Sequence, residues 1–215
     1  MTAEEQELGR AERKRLQTRE RLYHAAVSLF AEHGYDATTM TDIAEHADTA
    51  RGTAFNHFPT KGAFTLEWTR RRTQEAAMVT SSTLSEDIGT IPRIRAYFAY
   101  LASVNERERV LTRNMLKGWL HAEGPLQEDS PWLSQELTTW IATGQDTGEI
   151  APSVDPRAAA NLLRDGYLGA LYRWVREGDE SPDQLNTEIA KAVDLVLAAL
   201  AVRPGEGSAS AAGPR

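Results

Sequence analysis

The stretch that decides the fold is residues 34–61, which read GYDATTMTDIAEHADTARGTAFNHFPTK. It contains two short amphipathic patterns, at 39–46 and 50–57, joined by only a few residues. Thr39 and Asp42 stand three residues apart, which is the spacing of a capping box at the start of a helix. Two short helices joined by a tight turn, with a longer helix on each side, predict a helix-turn-helix unit.

Helical spacing of apolar residues continues on both sides of this unit. Leu22, Ala26 and Leu29 precede it, and Leu163 and Tyr167 follow it, at intervals typical of one helix face. No alternating pattern is long enough to predict a strand. We therefore predict an all-α fold of about nine helices. Their predicted ranges are 12–33, 39–46, 50–57, 60–83, 91–105, 108–122, 131–146, 156–177 and 182–202.

These helices are expected to form two domains between mobile ends. Residues 12–68, which include the helix-turn-helix unit, are predicted to be one helical domain, and residues 69–203 a second, larger helical domain. Residues 1–11 and 204–215 offer too little apolar surface to offset the entropy of ordering. We therefore predict a flexible amino-terminal arm and a disordered tail.

Composition narrows the class of protein. The chain has 24 Lys and Arg, 31 Asp and Glu, a net charge of −7 and no cysteine. Without cysteine there are no disulfides and no thiolate metal sites. No apolar run approaches the roughly 20 residues of a membrane-spanning helix, and no secretory signal pattern is present. We expect a cytoplasmic protein that has no membrane partner.

Positive charge is concentrated near the amino terminus. Between Arg10 and Arg21, six basic side chains accompany only two acidic ones, Glu12 and Glu20. Such a run is usually a solvated helix face, but next to a helix-turn-helix unit it favours contact with phosphates or with the minor groove. A disordered extension is the alternative.

The second short helix carries the side chains that DNA recognition needs. Arg51 can reach guanine or phosphate, and Asn56 can pair with adenine. Thr53 and His57 can bond to phosphates, while Gly52 lets the backbone approach the DNA closely. The residues predicted to contact or to position DNA are Thr39, Arg51, Gly52, Thr53, Phe55, Asn56, His57 and Lys61.

Eight short fragments combine into a pattern that is more specific than any one of them. They are Ala25-Ala26, Leu29-Phe30, Gly34-Tyr35, Thr38-Thr39, Asp42-Ile43-Ala44, Arg51-Gly52-Thr53, His57-Phe58 and Thr60-Lys61. The pattern covers about residues 15–68 and resembles the amino-terminal DNA-binding domain of the TetR family of bacterial transcriptional regulators. The resemblance implies that residues 12–68 are a helix-turn-helix DNA-binding domain and that residues 69–203 are a helical ligand-binding and dimerisation domain. It also implies an all-helical homodimer that binds a palindromic operator, as a repressor or less often as an activator, and that is released by a small-molecule ligand.

Some positions depart from the family pattern. Phe55 stands where the family usually has tyrosine, and the missing hydroxyl removes a phosphate bond of about 1 kcal/mol. Asp48 brings a negative charge to the turn, Ala50 replaces serine and Ala54 replaces a larger apolar residue. These changes affect individual DNA contacts more than the fold.

The larger domain carries aromatic residues at helical spacing, as expected either of ordinary core or of a mostly apolar ligand cavity. The residues predicted to bind the unknown small-molecule effector are Tyr97, Met115, Trp119, Trp140 and Tyr167. The two helices over 156–202 carry small and apolar residues on one face, which predicts a homodimer through a four-helix bundle. The alternative is that these faces are buried within one subunit.

Other functions find less support in the sequence. The pairs Glu20/His24 and Asp42/His46 lack a third ligand, so we predict no catalytic residues, no metal site and no cofactor. A non-specific DNA-coating protein is the remaining alternative, and it would bind in a salt-dependent manner without sequence preference.

Overall fold

The computed structural model describes residues 3–121, 131–177 and 183–201. Its helices are α1 (Ala3–His33), α2 (Met40–His46), α3 (Arg51–His57), α4 (Gly62–Thr83), α5 (Thr90–Arg107), α6 (Arg109–His121), α7 (Pro131–Asp146), α8 (Pro156–Glu177) and α9 (Gln184–Leu200). A single 3-10 turn covers Glu86–Ile88, and the extended pairing in the described ranges is one isolated bridge between Ile150 and Ala201. The predicted all-α class is confirmed. In the described part of the chain, no helix has the length and apolar character to cross a membrane.

Helix α1 is longer than the sequence predicted. It begins at Ala3, whereas we expected a flexible arm over 1–11 and a helix from residue 12. The physical reason lies in residues 3–8, which are Ala, Glu, Gln and Leu, all strong helix formers. The predicted tail, 204–215, lies outside the described residues.

The chain forms two compact units, and the boundary falls inside α4. The described part of the first unit is 3–69 and 108–121, and that of the second is 70–107, 131–177 and 183–201. The boundary between Thr69 and Arg70 lies one residue beyond the predicted one. However, α6 belongs to the first unit, although the sequence had grouped it with the larger domain.

Helix α6 contributes directly to the core of the first unit. Met115 belongs to its cluster of buried apolar side chains, and Asn114 Nδ2 donates to the Phe30 carbonyl at 2.8 Å. A Cβ atom at Gly118 would lie 2.3 Å from the Tyr35 ring, so only glycine allows this close approach. These contacts explain why α6 belongs with the helix-turn-helix unit.

Candidate functional site

The turn between α2 and α3 is built as the sequence predicted. The Asp42 backbone N–H donates to the Thr39 hydroxyl at 3.2 Å, and the Thr39 N–H donates to the Asp42 carboxylate at 2.8 Å. Hydrogen bonding of the Asp42 carboxylate to the backbone and side chain of Thr39 holds the pKa of Asp42 below its usual value. Asp48 adopts φ 48°, a left-handed conformation that Asp tolerates better than most residues. The capping box and this turn set the direction in which α3 leaves α2.

Helix α3 presents most of the predicted DNA-contacting residues on one exposed side. Arg51 and Asn56 are exposed, Thr53 and His57 are half-buried, and Ala54 faces the core. Two more of the predicted residues, Thr39 and Gly52, are also exposed. The structure therefore brings the α3 set together on a surface that a DNA groove can reach.

Packing within the first unit does not account for two features of α3, the exposure of Phe55 and the glycine at position 52. Phe55 is 37% exposed, and the Arg51 guanidinium carbon lies 5.5 Å from the centre of its ring. This cation–π contact restrains the Arg51 side chain on the exposed surface. A Cβ atom at Gly52 would meet nothing within 4 Å, so the unit itself does not require glycine there. Both features fit a surface shaped for a partner.

Arg19 connects α1 to α3 and α4, a role that sequence reasoning missed. Its Nη1 donates to the His57 carbonyl at 2.8 Å, and its Nη2 bonds to the Glu67 carboxylate at 3.2 Å. Its guanidinium lies 4.2 Å from the centre of the Phe58 ring. Glu67 is only 8% exposed, so this ion pair is partly shielded from water. Arg19 therefore holds the carboxyl end of α3. Its guanidinium bonds within the protein, whereas the basic run as a whole was expected to contact DNA phosphates.

Lys61 also turns inward. Its Nζ donates to the carbonyls of Tyr35 and Thr38, at 2.6 Å and 2.9 Å, and lies 4.1 Å from the Tyr35 ring centre. Burial lowers the pKa of Lys61, and the nearby Asp36 opposes that shift. The sequence assigned Lys61 to phosphate, whereas in the structure two of its three N–H donors hold the loop between α1 and α2.

Part of the basic run remains on the surface of α1. Arg10, Lys14 and Arg21 are exposed and share one helix face by their spacing. Arg15 lies 3.7 Å from Glu12, an exposed pair of little energetic weight.

Burial lowers the pKa of His57, and the charges of Arg15 and Arg19 lower it further. His57 is therefore expected to be neutral near pH 7, able to donate or to accept one hydrogen bond.

The five predicted effector-binding residues are divided between the two units. Tyr97, Trp140 and Tyr167 lie in the second unit, where the Tyr97 and Trp140 rings meet edge to face at 5.3 Å. Met115 and Trp119 lie on α6, in the first unit, where both are buried. The structure thus gathers three of the five residues into one aromatic cluster and assigns Met115 to a different core.

Most of the small and apolar residues expected at a dimer interface are buried within the chain itself. They include Ala159, Leu163 and Ala170 on α8 and Ile189, Val193 and Leu200 on α9. Two leucines remain uncovered, Leu162 on α8 and Leu195 on α9, which are 59% and 76% exposed. The apolar surface open to a second copy is therefore narrower than the sequence suggested. It includes Leu162, which was expected there, and Leu195.

The acidic and histidine side chains form surface pairs. His24 Nε2 lies 3.7 Å from Glu20, and both side chains are exposed. Over the described ranges, no three His, Cys, Asp or Glu residues come together in a way that could hold a metal ion.

Comparison with known proteins agrees with this geometry. The family model described as bacterial regulatory proteins, tetR family, matches residues 22–67. The HTH-type transcriptional repressor DhaR of Mycobacterium sp. (strain GP1) is 26% identical over 187 residues, covering 83% of this chain and 93% of that protein. The repressor KstR of Mycobacterium tuberculosis is 24% identical over 194 residues, covering 90% and 84% respectively.

A solved structure has the same fold. Thermus thermophilus FadR, described as a TetR family transcriptional repressor and crystallised with lauroyl-CoA, superposes with a TM-score of 0.70 at 24% identity. The match covers 87% of this chain and 97% of FadR. The relatives named here are transcriptional regulators rather than enzymes.

Proposed function

We propose that this chain, whose residues 22–67 match the tetR family model, is a TetR-family transcriptional repressor that binds a palindromic operator as a homodimer and responds to a small-molecule ligand. The observation that carries the proposal is the exposed polar side of α3, held in place by Arg19 and by the capping box of α2. A repressor of bacterial promoters acts in the cytoplasm.

The proposed roles on DNA follow from side-chain chemistry and exposure. Arg51 and Asn56 read base edges, because both are exposed and both can form paired hydrogen bonds to a base. Thr53 and His57 bond to phosphates. Thr39, Gly52 and Phe55 set the distance between the backbone of the protein and that of the DNA. Lys61 contributes by holding the loop between α1 and α2 through its bonds to the Tyr35 and Thr38 carbonyls.

The proposed dimer joins α8 and α9 of two copies through their exposed leucines. Leu162 and Leu195 would each lose water contact in a four-helix bundle, at a gain of about 1.5 to 3 kcal/mol for a fully buried leucine. Helix-turn-helix proteins bind as dimers to half-sites about one DNA turn apart, which a single short helix cannot span.

The proposed response to ligand passes through α4. This helix is shared, with Gly62–Thr69 in the first unit and Arg70–Thr83 in the second. Arg72 Nη1 donates to Asn105 at 3.0 Å, and Asn105 Nδ2 donates to the Tyr167 hydroxyl at 2.8 Å. A ligand that displaces Tyr167 would therefore bias the position of α4 and change the spacing of the two recognition helices. The structure of FadR with lauroyl-CoA supports a ligand site in this fold, and so does the complex with triclosan of SmeT, a protein of the same fold (TM-score 0.60, 22% identity).

Selection of duplexes from a random pool tests the proposal and identifies the operator in the same experiment. The purified protein at near-physiological salt is expected to enrich a two-fold symmetric motif. Binding that falls steeply with salt and enriches no motif would favour the DNA-coating alternative. No binding to any duplex would refute the proposal.

A pair of variants then tests the base-reading role of Asn56. Asn56→Ala is expected to relax the preference at one base position in each half-site, at a cost of about 1 to 3 kcal/mol for the preferred base. Thr139→Ala, at an exposed position on α7 in the second unit, serves as the control and should leave the motif unchanged. A uniform loss of affinity over all sequences would reassign Asn56 to the phosphate backbone.

A further inference from the structure

The second unit contains a buried hydroxyl without a hydrogen-bond partner. Tyr97 on α5 is fully buried, and its hydroxyl oxygen has no partner among the described residues. Its ring meets Phe98 and Trp140 edge to face, each at 5.3 Å between ring centres. A buried O–H that makes no hydrogen bond is destabilising, so its retention calls for an explanation.

Neighbouring tyrosines do not share this property. The Tyr167 hydroxyl accepts from Asn105 at 2.8 Å, although it is also buried. The Tyr100 hydroxyl, one turn along α5, donates to Glu75 at 2.8 Å. Within this aromatic cluster, the Tyr167 oxygen thus accepts one hydrogen bond, whereas the Tyr97 hydroxyl makes none among the described residues.

We propose that the Tyr97 hydroxyl is the polar anchor of the effector site, and that the effector is a neutral, largely apolar molecule with one acceptor oxygen directed at it. The inference rests on the proposed ligand-responsive function and specifies the chemistry of its ligand. The rings of Phe98, Trp140 and Tyr167 supply the apolar surroundings.

Local electrostatics favour a neutral acceptor over an anion. Burial raises the pKa of Tyr97, and interactions with Tyr167 and with the Glu136 carboxylate raise it further. The hydroxyl therefore keeps its proton and remains a donor at physiological pH. The negative potential from Glu136 that disfavours the phenolate also disfavours a carboxylate or phosphate at the same place. A ketone, ester or ether oxygen carries no such penalty.

The same contacts connect this site to α4. The Tyr167 ring packs against Phe98 at 5.7 Å between centres. The Tyr167 hydroxyl accepts a hydrogen bond from Asn105, which in turn accepts one from Arg72 on α4. Because Tyr97 is fully buried, a ligand reaches its hydroxyl only after neighbouring rings move. Binding would thus select a conformation of the cluster in which Tyr167 is displaced.

Two probes with the same carbon skeleton test the inference. Benzophenone carries one neutral acceptor oxygen, and diphenylmethane has none. We compare their dissociation constants by calorimetry, in the absence of DNA, for the wild type, for Tyr97→Phe and for Tyr100→Phe. The ratio of the two constants is expected to favour benzophenone about five- to tenfold more in the wild type than in Tyr97→Phe. Tyr100→Phe removes a hydroxyl that already has a partner, and it should keep the wild-type ratio.

Several results would overturn the inference. These are an unchanged ratio in Tyr97→Phe, an equal loss in Tyr100→Phe, or no binding of either probe up to its solubility limit. The melting temperature without probe provides an independent check, because Tyr97→Phe should keep or raise it. A clear decrease would mean that the hydroxyl has an internal partner such as a bound water, and would also overturn the inference.

Operator binding separates this inference from the proposed function. The duplex selection uses no small molecule, so Tyr97→Phe should enrich the same motif as the wild type. Probe discrimination without any operator would support the site and refute the repressor. Enrichment of an operator without probe discrimination would support the repressor and overturn the Tyr97 site.

Discussion

The two units use their interior polar groups in different ways. In the first, Arg19 and Lys61 end on backbone carbonyls and hold α3 and the loop before α2. In the second, hydrogen bonds from Arg72 to Asn105 and from Asn105 to Tyr167 end in an aromatic cluster. That cluster also contains Tyr97, whose hydroxyl has no partner among the described residues. Cations bonded to carbonyls suit a surface that must keep its shape, whereas an available donor among rings suits a core that must respond to a ligand.

The largest expected effect comes from removing the connection that orients α3. Arg19→Met should lower the free energy of unfolding by about 3 kcal/mol, because it removes a charged hydrogen bond and a partly shielded ion pair. It should also weaken operator binding, since the carboxyl end of α3 loses its anchor. Urea unfolding and operator titration measure the two effects. Arg21→Met, two residues away and exposed, is the matched control and should change stability little.

A slightly smaller effect is expected in the second unit. Asn105 is buried and bonds to both Arg72 and Tyr167, so Asn105→Leu should cost about 2 kcal/mol of unfolding free energy. The folded variant should bind the operator with normal affinity but should lose its response to effector. Asn161→Leu, on the half-exposed side of α8, is the control. If the folded Asn105→Leu variant bound the operator more weakly than the wild type in the absence of effector, the proposed difference between the two units would be wrong.

The smallest expected effect concerns Lys61 and decides between its two roles. Lys61→Met removes two hydrogen bonds to carbonyls and should cost about 1 to 2 kcal/mol of stability. The salt dependence of operator binding should stay close to that of the wild type. Lys117→Met, at an exposed lysine of α6, is the control for loss of charge. Unchanged stability together with a salt slope lower by about one would return Lys61 to the phosphate role.

Local features were predictable because their signals lie close together in the sequence. Thr39 and Asp42 form their capping box three residues apart, and the helix ranges follow from the periodicity of apolar residues. The exposed side of α3 was also predictable, because helical residues three or four positions apart lie on the same face. The family pattern over 22–67 belongs to the same class of short-range information.

The partners of charged residues were not predictable in this way. Arg19 bonds to residues 38 and 48 positions away, and Lys61 to carbonyls 26 and 23 positions away. Within the basic run of α1, nothing in composition distinguishes Arg19 from Arg21. Only the direction in which each side chain leaves the folded helix does so.

By itself, the sequence determined the all-helical class, the helix-turn-helix and the polar side of its second helix, because capping and periodicity act over a few residues. Only the tertiary structure decided that Lys61 turns inward, that α6 joins the first unit and that the Tyr97 hydroxyl finds no hydrogen-bond partner in the described part of the chain. Each of these depends on which distant elements meet, and burial or hydrogen bonding is then set by neighbours that the local sequence does not name.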